Sequence, residues 1–274
     1  MSSSSREPPC PDARTSPLPP PRPALKVSVV VPARNEEELV VSCLEALAEQ
    51  EGVCPEEYEV LLVLDRCTDE TEARAREIAD AHPRFELHFL GGPGKGSGHA
   101  RRMGMELASA RLLGLGRPKG LIASTDADTV VASDWLAAQL RAVSRGALAI
   151  GGRIELTEGS LPESIFRWHT ERGRRRHESL LSEPEQLGKT EHWQFSGASL
   201  ALTAKIYREI GGLEPRVALE DEHLEYVLRR HDVPIERLTS VRVTTSARLK
   251  GRAKQGLARD LAATVEKLRD DCRL

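Results

Sequence analysis

In Leu121-Ile122-Ala123-Ser124-Thr125-Asp126-Ala127-Asp128-Thr129, an apolar run gives way to two carboxylates one residue apart. The run predicts a buried strand. In an extended chain residues i and i+2 point the same way, so Asp126 and Asp128 are expected to converge at its carboxyl end. Two like charges repel unless a cation lies between them, and oxygen ligands suit Mg²⁺ or Mn²⁺. An Asp-rich turn is the alternative interpretation, because Asp also favours turns.

Apolar runs alternate with helical patterns on both sides of this stretch. Asn35 is expected to cap the first helix, with acidic residues in its first turn. Because strand and helix alternate with short connections, the pattern predicts an α/β fold with a doubly wound, mostly parallel sheet, whose ligands bind at the carboxyl ends of the strands. The other strands are predicted at 27–31, 58–64, 85–90 and 148–156, and later helices at 70–81, 99–113 and 133–144.

Composition narrows the function classes. The 274 residues carry a net charge of −3 and only 4% aromatic residues, which gives no electrostatic case for nucleic acid. No segment has the length and apolarity of a transmembrane helix. Five scattered cysteines indicate reduced thiols in the cytoplasm. Residues 1–24 are rich in Ser, Pro and Arg, which predicts a disordered tail.

Polar segments follow each of the first four predicted strands. They are Arg34-Asn35-Glu36, Asp65 to Asp69, the glycine-rich loop Gly94-Lys95-Gly96-Ser97-Gly98, and the Asp126/Asp128 pair. All four are expected at one edge of the sheet, since the carboxyl ends of parallel strands share an edge. The glycine loop fits neither the phosphate-loop pattern nor a dinucleotide fingerprint, which would follow the first strand.

Five segments in order carry a resemblance to a known family. They are Val29-Val30-Val31-Pro32-Ala33-Arg34-Asn35-Glu36-Glu37, Thr68-Asp69-Glu70-Thr71, Asp126-Ala127-Asp128, Phe195-Ser196-Gly197-Ala198, and the pair Tyr207–Leu213 with Leu219-Glu220-Asp221-Glu222. In these segments the chain resembles the family-2 nucleotide-sugar glycosyltransferases of the GT-A fold. The resemblance implies a Rossmann-like GT-A domain at 25–250, with a nucleotide-binding half at 25–130 and a smaller acceptor-binding half at 131–250. Residues 251–274 are expected to form a charged helical tail.

The resemblance also implies site residues. Asp126 and Asp128 would hold Mg²⁺ or Mn²⁺, and Asp221 would be the catalytic base, with Glu220 and Glu222 as competitors. The residues expected to bind the donor, a UDP- or GDP-linked sugar, are Pro32, Arg34, Glu36, Asp65, Lys95 and Asp126. The residues expected to bind the hydroxyl acceptor are Trp193, Gly197 and Glu220.

Other interpretations of these segments stay open. Glu36 and the acids at Glu220 to Glu222 also suit helix starts, and the Asp126/Asp128 pair also suits a turn. Basic residues at Arg172–Arg176 and from Arg248 onward fit either anionic ligands or a solvated surface. The leading functional hypothesis is inverting, metal-dependent sugar transfer. The alternatives are a retaining enzyme similar to glucosyl-3-phosphoglycerate synthases, a sugar nucleotidyltransferase, and a non-catalytic nucleotide-binding protein.

Overall fold

The computed structural model describes residues 18–157, 163–182, 189–214, 216, 219–248 and 263. These residues form one eight-stranded sheet with helices packed on both faces. The strands are β1 (Val27–Ala33), β2 (Tyr58–Leu64), β3 (Leu87–Gly91), β4 (Leu121–Ser124), β5 (Thr129–Val131), β6 (Ala149–Leu156), β7 (Leu200–Thr203) and β8 (Ile235–Thr245). The helices are α1 (Val40–Ala48), α2 (Thr71–Ala81), α3 (Ser97–Gly114), α4 (Trp135–Ser144), α5 (Glu163–Leu181), α6 (Ala204–Glu209) and α7 (Glu220–Arg230).

The sheet order is β3-β2-β1-β4-β7-β6-β8-β5. Strands β3, β2, β1 and β4 run parallel, as do β6 and β8. Strand β7 is antiparallel to both β4 and β6, and β5 is antiparallel to β8. The predicted α/β fold with a mostly parallel sheet is therefore confirmed, and every antiparallel pairing involves β7 or β5. The predicted tail at 251–274 lies outside the described residues, apart from position 263.

Side chains of β1 alternate between two hydrophobic cores. Val29 and Val31 belong to the core that contains Leu44 of α1 and Trp135 of α4. Val30 belongs to the other core, together with Met105 of α3. Because both faces of the strand are covered, every position in it is apolar or small, which is why the run was recognisable in the sequence.

Two local predictions were wrong. The first helix begins at Val40 and not at Asn35, which has φ +55° and bonds through its side chain to the backbone N–H of Thr68. The segment between them is a turn. The pair Asp126/Asp128 lies in a turn between β4 and β5, closed by a bond from Thr129 N to the carbonyl of Asp126 (3.1 Å), and not in an extended strand.

Chain order also begins earlier than Leu25. Residues 18–24, which composition assigned to a disordered tail, contact helix α3. The Arg111 guanidinium donates to the carbonyl of Pro19 (2.9 Å), and that of Arg117 donates to the carbonyl of Pro23 (2.6 Å). These bonds hold the proline-rich segment in place despite its composition, because its carbonyls are free to accept from two arginines.

Candidate functional site

The carboxylate turn after β4 is held by two arginines. Asp126 Oδ1 accepts from Arg101 Nη2 (2.6 Å), and Asp128 Oδ2 lies 2.7 Å from Arg248 Nη2. Burial, together with the negative charge of Asp126, raises the pKa of Asp128 to about 6, although Arg248 opposes the shift. The two carboxylates thus share one turn, and each is paired with one arginine.

Glu36 joins this cluster through the same arginine. Arg248 donates from Nη1 and Nη2 to the two carboxylate oxygens of Glu36, both at 2.9 Å. A single guanidinium thus bridges the loop after β1 to the turn after β4. A cavity of about 330 Å³ opens beside it and is lined by Arg248, Asp69 and the loop Asn35–Leu39.

The loop after β1 is braced by the loop after β2. The backbone N–H of Glu36 donates to Thr71 Oγ1 (2.7 Å), and that of Glu37 donates to Asp69 Oδ2 (3.2 Å). In return, Glu37 Oε2 accepts from the backbone N–H of Glu70 (2.9 Å). These reciprocal bonds explain why the Thr68–Thr71 segment accompanies the Asn-Glu segment: it fixes the position of the Glu36 carboxylate.

Asp65 organises the glycine loop. Its side chain is buried, and its carboxylate accepts from the backbone N–H groups of Gly94 (2.5 Å) and Gly96 (2.8 Å). Lys95 lies between them and is exposed. A donor-binding role for Asp65 stays a prediction.

Arg101 is the functional candidate that sequence reasoning missed. It is 2% exposed and lies on α3, where it donates to Asp126, Ser124 Oγ (2.5 Å) and the carbonyl of Gly197 (3.0 Å), and reaches Glu220 (3.3 Å). Burial opposes its charge, yet the carboxylates of Asp126 and Glu220 raise the pKa of Arg101 above its usual value. The signal in the sequence was an arginine at a position of α3 that faces the core.

The acceptor-side candidates meet near this arginine. Asp221 is partly buried at the first turn of α7, and its Oδ2 accepts from the backbone N–H of Gly197 (3.2 Å). Glu220 is buried and faces Arg101. The structure therefore brings Asp221, Gly197 and Glu220 together. Arg101 connects this group to Asp126 in the turn after β4.

Trp193, Pro32 and Arg34 occupy different environments. Trp193 is half-buried under α5, where a side chain at Gly173 would meet its indole nitrogen and the Arg176 guanidinium lies 5.0 Å from a ring centroid. Pro32 is buried within β1, and Arg34 is exposed where the following loop begins. Their predicted binding roles stay predictions.

Glu36, Asp126 and Asp128 offer carboxylate oxygens, the ligand type that Mg²⁺ and Mn²⁺ prefer, and Arg248 already places a positive charge between Glu36 and Asp128. Such ions are commonly held by one or two carboxylates together with substrate phosphates. The protein therefore does not need to supply all the ligands of the metal ion before the substrate binds.

A tighter group lies at the opposite edge of the sheet. Among the described residues, Glu59, Glu86 and His88 place ligand atoms within 4.8 Å of one another, a spacing that could hold a metal ion. Glu59 is already bound by Arg111 in a two-pronged contact, and Arg22 pairs with Glu86. Because two arginines balance the two carboxylates, an added dication would leave buried positive charge, so we interpret this group as an ion-pair network.

Comparison with known proteins agrees with this geometry. The model of the family "Glycosyl transferase family 2" matches residues 28–206. Glycosyltransferase AglE from Haloferax volcanii is 31% identical over 132 residues, which cover 48% of this chain and 40% of AglE.

Solved structures share the fold. The mannosyltransferase PcManGT from Pyrobaculum calidifontis, in complex with GDP-Man and Mn²⁺, has a TM-score of 0.60 at 19% identity, covering 86% of this chain and 60% of that one. S. aureus TarS 1-349 in complex with UDP-GlcNAc has a TM-score of 0.58 at 17% identity, covering 84% and 60%. The chain thus spans well under two thirds of each relative's length. Across the described residues, no helix combines the length and apolarity needed to cross a bilayer.

Proposed function

Because the chain belongs to glycosyl transferase family 2, we propose that it transfers a sugar from a UDP- or GDP-linked donor to a hydroxyl acceptor, with a divalent metal ion and with inversion at the anomeric carbon. The observation that carries this proposal is that two arginines connect the candidate groups. Arg248 binds Glu36 and Asp128, and Arg101 binds Asp126 and the carbonyl of Gly197, whose amide binds Asp221. A nucleotidyltransferase or a simple binding protein gives no reason for a base on the far side of the cleft.

The donor half supplies charge control. Mg²⁺ or Mn²⁺ held by Asp128, with Glu36 or Asp126, would neutralise the departing diphosphate. Arg248 occupies the same carboxylates, so binding of a divalent ion there requires its guanidinium to move from Asp128. That displaced guanidinium remains within reach of an anionic ligand in the adjoining cavity.

The acceptor half supplies the base. An acceptor hydroxyl must lose its proton as its oxygen attacks the anomeric carbon, and a carboxylate within hydrogen-bond reach accepts it. Asp221 is the candidate, because its Oδ2 is oriented by the Gly197 amide and its side chain is partly exposed. Glu220 is a weaker candidate, since it is 7% exposed and directed at Arg101.

Two solved structures support testing both uridine and guanosine nucleotides. PcManGT was solved with GDP-Man and TarS with UDP-GlcNAc. The bonded glycine loop is compatible with either nucleotide. The three described free cysteines suit the cytoplasm.

The decisive experiment combines binding and product analysis. Thermal shift and calorimetry with UDP, GDP and dTDP, each with and without MnCl₂, should show stabilisation by one nucleotide only when Mn²⁺ is present. NMR of the sugar released or transferred from the matching donor then gives its anomeric configuration. Retention would overturn the inverting mechanism, and release of pyrophosphate would favour a nucleotidyltransferase. Stabilisation by none of the nucleotides would overturn the proposal.

A further inference from the structure

We propose that Arg101 is a positioning residue that holds the donor-side carboxylate Asp126 and the start of helix α7 in one fixed arrangement. The inference rests on the proposed function and names a residue for it. Arg101 is fully enclosed by protein and so does not touch substrate; it acts through the groups it binds.

The contacts of Arg101 come from three separate parts of the chain. Nη1 donates to Ser124 at the end of β4 and to the carbonyl of Gly197, Nη2 donates to Asp126, and Nε reaches Glu220 on α7. The planar fork therefore joins three segments, and Nη1 alone bridges two of them. A lysine ammonium carries the same charge but has no fork with which to span them.

The charges around Arg101 show which groups it holds. One buried guanidinium faces two carboxylates, Asp126 and Glu220, and the charge of Asp221 also acts on it. Asp126 Oδ1 is occupied by Arg101, whereas its Oδ2 makes no hydrogen bond within the described part of the chain. Arg101 thus binds one carboxylate oxygen of Asp126, whose side chain is 35% exposed.

Glycine at position 197 is required by the same arrangement. A Cβ there would lie 2.5 Å from Arg101 Nη2, so only glycine lets the guanidinium reach the carbonyl. The amide of the same residue binds Asp221. Gly197 therefore joins the buried arginine to the proposed base through the backbone of a single residue.

The test compares Arg101→Lys with Arg111→Lys, a matched substitution of a second buried arginine on the same helix. Both variants should unfold at lower denaturant concentration than the wild type. We expect Arg101→Lys to lower kcat about 100-fold, the loss typical of a misplaced reacting group, and Arg111→Lys to leave kcat within about 3-fold. In the Asp126→Asn background, Arg101→Lys should cost clearly less, because its target is gone.

Separate outcomes distinguish the two proposals. If the wild type binds neither UDP nor GDP with MnCl₂, the proposed function fails and this inference falls with it. If the wild type binds a nucleotide and the two lysine variants have equal kcat, only the role of Arg101 is overturned. Should Arg101→Lys not fold, Ser124→Ala decides: it removes one buried partner of the guanidinium. A kcat lowered several-fold at unchanged KM supports the positioning role, and wild-type kcat overturns it.

Discussion

Helix α3 carries two buried arginines that lie at opposite edges of the sheet. Arg101 faces the carboxyl ends of the strands and divides its nitrogens among Asp126, Glu220 and neutral partners. Arg111 faces the amino ends and binds one carboxylate, Glu59, through Nε and Nη2 (2.8 and 2.6 Å). The same residue type in the same helix is therefore used in two different ways.

The surroundings of the partner carboxylates make the difference clearer. Although burial alone would raise it, hydrogen bonds from His88, Arg111 and Ser28 lower the pKa of Glu59 to about 2. At the other edge the pKa of Asp128 is raised to about 6. One edge of the sheet satisfies its charges and the other keeps an excess, so substitutions should cost stability at the amino edge and activity at the carboxyl edge.

The largest effect is expected from Asp128→Asn. Losing this carboxylate removes a ligand for the divalent ion, and transfer should fall by about three orders of magnitude. The measurement is initial-rate transfer at saturating MnCl₂, with near-UV circular dichroism as the control for folding. A folded variant with wild-type turnover would remove Asp128 from the metal site.

The same variant should gain stability at neutral pH. The folded protein keeps a proton on Asp128 up to about pH 6, whereas the unfolded chain loses it near 3.8, so wild-type stability falls as pH rises through that window. Asp128→Asn has no such proton and should exceed the wild type by about 2 kcal/mol above pH 6 and match it near pH 4. Urea unfolding at pH 4, 5, 6 and 7.5 measures the difference, and a gap that stays constant with pH would contradict the raised pKa.

A second loss of activity is expected from Asp221→Asn. This variant should still bind the Mn²⁺–nucleotide pair with wild-type affinity, while kcat drops about 100- to 1,000-fold because the acceptor proton has no carboxylate to receive it. Calorimetry and kinetics are compared on one preparation, with Glu222→Gln as the control on the exposed neighbour. Loss of nucleotide binding would instead place Asp221 in the donor pocket.

The amino edge should respond in the opposite way to Glu59→Gln. Removing one member of a buried ion pair leaves Arg111 uncompensated, which costs about 3–5 kcal/mol, while kcat of the folded fraction stays near wild type. Because the folded pKa of Glu59 is lowered, its contribution is present above about pH 4.5 and is lost as pH falls towards 2. Denaturant unfolding against pH checks this, and a constant deficit at low pH would argue against an ionised Glu59.

The smallest effect is expected from Arg248→Gln. Without the guanidinium, Glu36 and Asp128 should bind Mn²⁺ about 10-fold more tightly in the absence of nucleotide, since a competing cation is gone. Titration of Mn²⁺ followed by electron paramagnetic resonance gives the affinity directly. Equal affinities would mean that Arg248 and the ion do not share these carboxylates.

Most strands could be predicted from the sequence because two hydrophobic cores impose an apolar residue at each position. The bounds of β2 agree with prediction. Short β5 was missed, since three residues carry little periodicity.

The parts that escaped prediction depend on contacts distant in sequence. Asn35 resembles a helix cap locally, but Thr68 offers it a competing partner and the turn persists to Leu39. Arg101 was missed although its position on α3 faces the core, because its four partners come from the end of β4, the turn after it, the Gly197 loop and α7. Local patterns specify elements, whereas these groups are specified only by how the elements meet.

Cys43 packs directly against the carboxylate turn. Its thiol is completely buried in α1 and donates to the carbonyl of Asp126 (3.4 Å). Burial first, and then the charges of Asp128 and Asp126, raises the pKa of this thiol. Alkylation of Cys43 therefore has to wait until the turn lifts from the helix. The rate at which a thiol reagent labels Cys43 in the native protein, measured by mass spectrometry, reports how often the turn opens.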